Sequence, residues 1–316
     1  MKVSIVVPCY NDENSIEELC NRISEVFLNK LKEYSYEIII ADDHSEDHTE
    51  SVVETICSKD KHIKAVFNAT NFGFDRNVFA ALTYATGDCA FLIFGDLQDP
   101  PEMLIEFIQK WEQGYKCILG QRAGSGESHI KYKLRKIYYD LMGSMAEKQL
   151  LKMVNGFGLY DRMFLNVLAE IREVSPFLKA VIAEYGMEIC LVKYQQNETR
   201  RGKSNFNLMR NYDFVMHGLT ASTKVLMRSA TFFSLAVGAI SIFFAIYVFV
   251  RKLLNWNSYP FGDASLLVGM FLIGAILLFF LGIMGEYVLS INERVSQKPR
   301  TIVSKRINID DKTEKE

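Results

Sequence analysis

Acidic and amide side chains stand directly after apolar runs in three short clusters. The clusters are Tyr10-Asn11-Asp12, Asp42-Asp43-His44-Ser45 and Asp96-Leu97-Gln98-Asp99. Carboxylate and carboxamide oxygens are hard ligands, so Asp96 and Gln98 are predicted to hold Mg²⁺ or Mn²⁺, cations that commonly bridge substrate phosphates. A growing negative charge on a diphosphate leaving group is neutralised by such a cation or by an arginine. Asp43, expected to be exposed at a strand end, could accept hydrogen bonds from a nucleobase or a ribose.

Each cluster taken alone also fits a simpler interpretation, a helix N-cap or an Asx turn. Asp99, which precedes Pro100-Pro101, is predicted to be such a cap, and His44 is predicted to be a turn residue. The five histidines are scattered along the chain and suggest no catalytic triad.

The runs around these clusters alternate strand-like and helix-like patterns. Strands are predicted at Val3–Val7, Glu37–Ala41, Ile63–Phe67, Cys89–Phe94 and Lys116–Leu119, and helices at Ser15–Leu31, Asp47–Ser58, Asn77–Ala85 and Pro101–Gln113. Such alternation predicts an α/β fold whose mainly parallel sheet carries helices on both faces. Ligands of these sheets bind beyond the carboxyl ends of the strands, so the three clusters are predicted to form one site.

Composition and motifs argue against several classes of function. The net charge of −2 lacks the basic excess of nucleic-acid-binding proteins, so no nucleic-acid partner is expected. No G-x-G-x-x-G follows the first strand and no G-x-x-x-x-G-K-[ST] occurs, which argues against dinucleotide and P-loop sites. The six cysteines form no C-x-x-C pair and are expected to be buried free thiols of a reducing compartment.

Two long apolar runs follow the α/β region. Residues 230–250 and 264–284 carry no charged side chain, and about 20 apolar residues suffice to cross a bilayer. Transmembrane helices are therefore predicted at 230–250 and 264–289, joined by a short loop as an antiparallel hairpin. Lys and Arg flank the outer ends of this hairpin, which predicts a cytoplasmic catalytic domain at the inner membrane.

The remaining divisions follow from these runs. Residues 1–204 are predicted to form the cytosolic domain, and residues 290–316 a cytosolic tail. Mixed three- and four-residue apolar spacing predicts an amphipathic helix at 205–229 that lies in the interface and contacts membrane lipids; a plain surface helix packed on the domain fits nearly as well. Small residues in the two spans would allow a homo-oligomer.

Taken in order, the motifs resemble those of family 2 glycosyltransferases of the polyprenyl-phosphate glycosyltransferase type, which are dolichol-phosphate-mannose-synthase-like and have two spans in bacteria. The matching segments are VSIVVPCYNDENSI, IIIADDHSEDHT, NFGFDRNVFAAL, ATGD, DLQDPPEML, LGQR, RRGKSNF and LGIMGEYVLSINERVSQKPRTIV. They cover nearly the whole chain. DLQDPP together with GEYVLSINERV at the end of the second span is the most specific combination.

The resemblance implies a GT-A fold and an inverting transfer from a nucleotide-diphosphate sugar, with UDP favoured over GDP, to polyprenyl (undecaprenyl) phosphate. It implies that Asp96 and Gln98 hold the Mg²⁺ or Mn²⁺ and that Arg122 contacts the donor or acceptor phosphate. The residues implied to bind the base and ribose are Pro8, Tyr10, Asp12 and Asp43. Those implied to close over the diphosphate and the lipid phosphate are Arg200, Arg201, Lys203 and Ser204.

Three segments depart from the family pattern. Phe94-Gly95-Asp96 stands where Asp-Ala-Asp is usual, Asn155-Gly156-Phe157-Gly158 where Gly-Asp-Phe-Arg is usual, and Ser204-Asn205 where Ser-Lys is usual. A lipid phosphate is already an anion, so its transfer reaction needs no general base. The absence of the usual acid at Gly156 therefore matters less for a lipid phosphate acceptor than for a hydroxyl acceptor. Two alternatives stay open, a membrane glycosyltransferase that acts on a hydroxyl and a catalytically degraded, non-enzymatic relative.

Overall fold

The computed structural model describes residues 1–122, 154–171, 173, 176–197 and 299–309, together with scattered helical positions between 243 and 291. The predicted interface helix at 205–229 lies outside these residues, as do most positions of the two predicted spans. Within the described part of the chain, no helix is both long and apolar enough to cross a membrane.

The described elements belong to one α/β unit. Its strands are β1 (Lys2–Cys9), β2 (Ser35–Asp42), β3 (Ile63–Asn68), β4 (Cys89–Leu92), β5 (Cys117–Arg122), β6 (Val154–Asp161), β7 (Ile189–Tyr194) and β8 (Val303–Ile307). Its helices are α1 (Ile16–Asn29), α2 (Thr49–Lys59), α3 (Phe74–Thr83), α4 (Leu104–Glu112), α5 (Arg162–Glu170) and α6 (Leu178–Tyr185), with a 3-10 turn at Pro101–Met103. The five strands and four helices that the sequence predicted within the α/β region are all present, with their ends shifted by a few residues.

The strands form a single mixed sheet in the order β7-β5-β6-β4-β1-β2-β3-β8. Strands β4, β1, β2 and β3 are parallel neighbours, β6 is antiparallel to both β4 and β5, and β7 is parallel to β5. Because β4 and β5 are both antiparallel to β6, they point the same way. The carboxyl ends of β1, β2, β3, β4, β5 and β7 therefore lie along one edge, and the predicted α/β architecture is confirmed.

Two apolar layers, one on each face of the sheet, explain why β1 is apolar throughout. Ile5 belongs to the layer covered by α1, α2 and α4, and Val6 to the layer covered by α3, α5 and α6. Helix α1 buries Ile16, Leu19 and Ile23, which recur at three- and four-residue spacing and so face the sheet together. A strand covered on both faces reads as a continuous apolar run, which is the pattern found at the start of the chain.

Strand β8 was not predicted from the sequence and lies at one end of the sheet. It pairs antiparallel with β3, and the backbone nitrogen of Ala69 donates to the Ile302 carbonyl at 2.7 Å. Just after β8, Asn308 adopts a φ of +58° and donates its side-chain amide to the Cys57 carbonyl at 2.9 Å. Residues 303–307, which the sequence placed in a tail, therefore belong to the sheet.

Candidate active site

The loops after β1, β2 and β4 meet at the carboxyl edge of the sheet. Asn11 joins the first two loops, because its backbone nitrogen donates to Ser45 Oγ at 2.9 Å and its side-chain oxygen accepts from the Glu46 nitrogen at 2.8 Å. Ser15 joins the first loop to the third by donating its hydroxyl to the Gly95 carbonyl at 2.6 Å. The three polar clusters thus lie together.

Asp12 is buried between the loops after β1 and β4. Its Oδ2 accepts from the backbone nitrogen of Tyr10 at 3.2 Å, and a Cβ on Gly95 would lie only 2.6 Å from the same oxygen. Residue 95 must therefore lack a side chain for Asp12 to keep this position. Of the other residues implied to bind the base and ribose, Pro8 is buried within β1 and Tyr10 is half-buried just after it.

Asp43 is only 3% exposed, so the expectation of an exposed carboxylate was wrong. Its Oδ1 accepts from Asn68 Nδ2 at 2.8 Å and from the Phe72 nitrogen at 3.0 Å, and its Oδ2 accepts from the Gly73 nitrogen at 2.8 Å. A buried carboxylate requires such donors, and nitrogens just before a helix supply them readily. Asp43 therefore fixes the loop between β3 and α3. The adjacent His44 has a φ of +60°, which confirms it as a turn residue.

The loop after β4 carries the predicted cation ligands, Asp96 and Gln98, both half-buried. Asp96 Oδ1 accepts from the Gln98 nitrogen at 3.2 Å, which closes an Asx turn. Leu97 between them has a φ of +56°, a conformation that is strained for a bulky side chain and that the surrounding contacts must hold in place. Gln98 Oε1 accepts from Gln196 Nε2 at 2.5 Å, and its carbonyl accepts from the Asn197 nitrogen at 2.9 Å. The segment after β7 therefore lies against this loop.

Asp99 is a buried member of a hydrogen-bonded network and caps no helix, so its prediction as an N-cap was wrong. The 3-10 turn that follows begins at Pro101 with Pro100 at its cap position, one residue after Asp99, and neither proline has a backbone N–H to donate to Asp99. Asp99 instead accepts from the Tyr194 hydroxyl at 2.5 Å and from Asn155 Nδ2 at 3.2 Å. Burial raises the pKa of Asp99, and its hydrogen bonds and the charge of Arg122 oppose that rise.

Arg122 extends this network at the end of β5. It pairs in register with Tyr194, and its Nε donates to the Tyr194 hydroxyl at 3.4 Å. Because β5 points the same way as β4, Arg122 brings a positive charge to the edge that carries Asp96. The four residues of the predicted closing loop, Arg200, Arg201, Lys203 and Ser204, lie outside the described residues.

Residues 4–231 match the sequence profile named Glycosyl transferase family 2. The chain belongs to this family. It is 30% identical over 305 residues to an uncharacterised glycosyltransferase of Synechocystis sp., a match that covers 96% of this chain and 95% of the relative. It is 29% identical over 306 residues to the SfII prophage-derived bactoprenol glucosyl transferase of Shigella flexneri, with 96% and 98% covered. Among solved structures, S. aureus TarS in complex with UDP-GlcNAc is 19% identical, with a TM-score of 0.47, 70% of this chain covered and 66% of that one.

The glycosyltransferase departs from the usual Gly-Asp-Phe-Arg motif in β6 for a steric reason. A Cβ on Gly158 would lie 2.4 Å from the carbonyl oxygen of Ile118, so the usual arginine cannot fit on this backbone. Gly156, which replaces the usual acid, has a φ of +99°, a conformation that favours glycine. Its carbonyl accepts the Tyr160 hydroxyl at 2.5 Å. Strand β6 thus packs closely with no side chain at these two positions.

The transferase offers a divalent cation a small set of ligands. Among the described residues, no group of three or more His, Cys, Asp or Glu side chains is placed to hold a metal ion. Phe94 occupies the position of the usual first acid, and its ring centroid lies 5.3 Å from that of Phe74. Mg²⁺ is nevertheless commonly held by one or two carboxylates together with waters and substrate phosphates. Asp96 and Gln98 therefore fit a cation whose remaining ligands are waters or phosphate oxygens.

Tyr194, Gln196 and Asn197 were missed from the sequence because β7 was not predicted. Asp99 and Asn155 were noted, the first as a cap and the second only as a departure from the family motif, so their hydrogen bond was not foreseen. A usable signal was present in β7, whose apolar stretch ends at Tyr194 six residues before the predicted closing loop. Had that stretch been read as a parallel strand, the rule that ligands bind at carboxyl ends would have placed Tyr194 in the site.

Proposed function

We propose that this glycosyltransferase moves a sugar from a UDP-sugar to a polyprenyl phosphate, with undecaprenyl phosphate as the acceptor, at the cytoplasmic face of the membrane. The observation that carries the proposal is the contact of the Asp96–Gln98 loop with Gln196 and Asn197. The predicted basic loop begins at Arg200, three residues after Asn197 and thus within about 11 Å of its Cα along the chain. A basic loop at this position would bring groups for a diphosphate close to the ligands for a cation.

The donor would lie along the carboxyl edge of the sheet. Pro8, Tyr10 and Asp12 would contact the base and ribose at the end of β1. Asp43, whose carboxylate is already occupied, would act there chiefly by fixing the loop before α3. A divalent cation held by Asp96 and Gln98 supplies positive charge to the diphosphate when it is bound.

The chemical step is a displacement at the sugar's anomeric carbon. A phosphate oxygen of the lipid forms the new bond to this carbon, the bond to the nucleotide's diphosphate breaks, and the electron pair leaves with the diphosphate. Arg122 would neutralise the charge that develops during this step, as preorganised cationic groups do in other transferases. No proton has to be removed from the acceptor, so a carboxylate is not required at Gly156.

A membrane-embedded acceptor is favoured by the C-terminal half of the sequence and by relatives named for bactoprenol. The Shigella flexneri relative, a bactoprenol glucosyl transferase, matches over nearly its full length. Several described positions of the predicted second span, such as Leu277, Phe279 and Leu281, are helical and expose large apolar side chains. Exposed apolar surface of this kind marks a contact with lipid or with another protein. Holding the site beside the lipid would raise the effective concentration of the acceptor.

The proposal is tested with membranes containing the full-length protein, undecaprenyl phosphate and a panel of labelled UDP- and GDP-sugars, with and without Mn²⁺ or Mg²⁺. Label should pass to the lipid from a UDP-sugar, and Asp96→Ala should lower the rate at least a hundredfold. Glu102→Ala is the matched control, because Glu102 is a nearby acidic residue whose carboxylate pairs with Arg22 outside the site. Transfer only to soluble hydroxyl acceptors, or no transfer from any donor, would contradict the proposal.

A further inference from the structure

Tyr194 forms a bridge between a buried carboxylate and the arginine at the edge of the sheet. Its hydroxyl lies 2.5 Å from Asp99 Oδ1 and 3.4 Å from Arg122 Nε. The carboxylate is 1% exposed and the tyrosine 6% exposed. A bridge of this kind joins the site to the core through two hydrogen bonds in series.

The direction of the two bonds follows from the donors available. An arginine Nε only donates, a carboxylate only accepts, and a hydroxyl has one proton and two lone pairs. The Tyr194 proton must therefore go to Asp99, which leaves a lone pair of the hydroxyl to accept from Arg122. Burial and the neighbouring Asp99 raise the pKa of Tyr194, so the hydroxyl keeps its proton.

The bridge restricts the side-chain rotamers of Arg122, which would otherwise have to be fixed when a phosphate binds. An arginine side chain loses up to about 2 kcal/mol of conformational free energy when it is held in one rotamer. Arg122 is the last residue of β5, and the chain beyond it lies outside the described residues. The contact uses only Nε, so it does not occupy the two terminal amino groups that could meet a phosphate.

We infer that Tyr194 and Asp99 are positioning residues. They hold the guanidinium of Arg122 in place to meet the nucleotide diphosphate that leaves when the sugar is transferred. The inference rests on the proposed function. Asp99 anchors the Tyr194 hydroxyl, and Asn155 Nδ2 holds the second carboxylate oxygen at 3.2 Å. The arginine is thereby oriented before the donor binds, which is the condition for efficient stabilisation of developing charge.

The inference predicts coupling between Tyr194 and Arg122. Tyr194→Phe keeps the ring beside Phe157, at 5.2 Å between centroids, and removes only the hydroxyl. We expect it to lower kcat by about tenfold and to change the KM for the UDP-sugar less than twofold, because the interaction develops in the transition state. In an Arg122→Lys background, which lacks Nε, the same substitution should change kcat less than twofold further.

Tyr34→Phe is the matched control for a purely structural effect. The Tyr34 hydroxyl donates to Glu112 at 2.5 Å, the same length and chemistry as the bond from Tyr194 to Asp99. This bond joins the loop between α1 and β2 to the end of α4, away from the carboxyl edge. We expect both substitutions to lower the unfolding midpoint to a similar extent and only Tyr194→Phe to lower kcat. Asp99→Asn provides a second variant if Tyr194→Phe does not fold, and it should show the same coupling to Arg122→Lys.

The outcomes separate this inference from the proposed function. Suppose that the wild-type protein transfers sugar to undecaprenyl phosphate. If the kcat of Tyr194→Phe then equals that of the wild type or of Tyr34→Phe, only the positioning role is overturned. Equal losses from Tyr194→Phe in the wild-type and Arg122→Lys backgrounds would also overturn it. Wild-type protein without any transfer would instead overturn the proposed function on which the inference rests.

Discussion

At the scale of single residues, the cation ligands of the site are few and already hydrogen-bonded. Asp96 Oδ1 accepts from the Gln98 nitrogen, and Gln98 Oε1 accepts from Gln196. We therefore expect Mn²⁺ alone to bind weakly and UDP to raise its affinity at least tenfold, because phosphate oxygens complete the coordination. Calorimetric titration of Mn²⁺ into the full-length protein, with and without UDP, measures this difference.

The same titration distinguishes Asp96 from nearby acids. Asp96→Asn should abolish the gain from UDP, whereas Glu102→Gln, outside the loop, should leave it unchanged. Tight Mn²⁺ binding without UDP, or normal binding by Asp96→Asn, would show that the cation is held elsewhere.

Glu37 is a second residue whose surroundings lead to a prediction, here about the stability of the fold. Its side chain is 2% exposed and lies in β2. It accepts from four side chains: Lys2, Lys64, Ser4 and Thr86. Burial alone would raise the pKa of Glu37, but these partners lower it from 4.5 to about 2. The charged carboxylate therefore stabilises the fold.

The pH dependence follows from the sign of this shift. Because the pKa is lower in the folded state, the stabilisation is complete above pH 4.5 and is lost as the pH falls towards 2. Its size is about 3 kcal/mol. Urea denaturation should show that Glu37→Gln is less stable than wild type at pH 7 and that the difference shrinks steadily as the pH falls from 4.5 towards 2. A gap that stays constant over this range would mean that the charge of Glu37 contributes nothing.

At the scale of elements, β8 is held to the sheet by its last turn as well as by its ladder with β3. Asn308 donates to the carbonyls of Cys57 at 2.9 Å and Ile63 at 2.8 Å, and its φ of +58° is tolerated by asparagine. We expect Asn308→Ala to lower the free energy of unfolding by about 2 kcal/mol, since two buried carbonyls lose their donor and alanine is strained there. Amide hydrogen exchange in β3 should accelerate.

A matched control for Asn308 is Lys61, which donates to the Asn308 side-chain oxygen at 3.2 Å from an exposed position. Lys61→Ala should change the stability by less than about 0.5 kcal/mol, because exposed polar contacts of this kind are worth little. If Asn308→Ala and Lys61→Ala behaved alike, β8 would be held by its ladder alone.

The elements also show what the sequence could and could not predict. Strands β1 to β4 were predictable because each is an apolar run bounded by polar residues, and parallel buried strands have that pattern. Strand β6 was hidden by Gly156 and Gly158, which strands usually avoid and which here permit close packing. Strand β8 was hidden by Ser304, Lys305 and Arg306, a polar composition suited to the end of a sheet.

The sequence predicted where the site residues lie better than it predicted their burial and hydrogen bonds. The rule that carboxyl ends of parallel strands share an edge predicted that the loops carrying Asp12, Asp43 and Asp96 meet, and hydrogen bonds join these loops in the structure. The burial of Asp43 and the network of Asp99 depend on donors from Gly73 and Tyr194, which are distant in sequence. Pairings of that kind cannot be inferred from local pattern.

At the scale of the whole molecule, the chain leaves the sheet and returns to it. The described domain contains the elements from β1 to β7 and the strand β8 near the C-terminus, and both predicted spans lie between β7 and β8 in sequence. If those spans lie in a bilayer, the domain is attached to the membrane at two points. Such an attachment would hold the carboxyl edge at a defined height and orientation relative to the lipid, which is what transfer to a membrane-embedded acceptor requires.

This arrangement predicts that donor binding and lipid transfer can be separated by one substitution in the second span. Leu277 is 64% exposed and stands near the middle of 264–289, where an arginine would cost about 3 kcal/mol of membrane insertion. Leu277→Arg should remain in the carbonate-washed membrane fraction through the first span but lose most transfer to undecaprenyl phosphate, while its affinity for UDP stays within twofold of wild type. Leu277→Phe, which remains apolar, should behave as wild type in all three measurements. A Leu277→Arg protein that stays in the membrane and transfers sugar normally would contradict the second span.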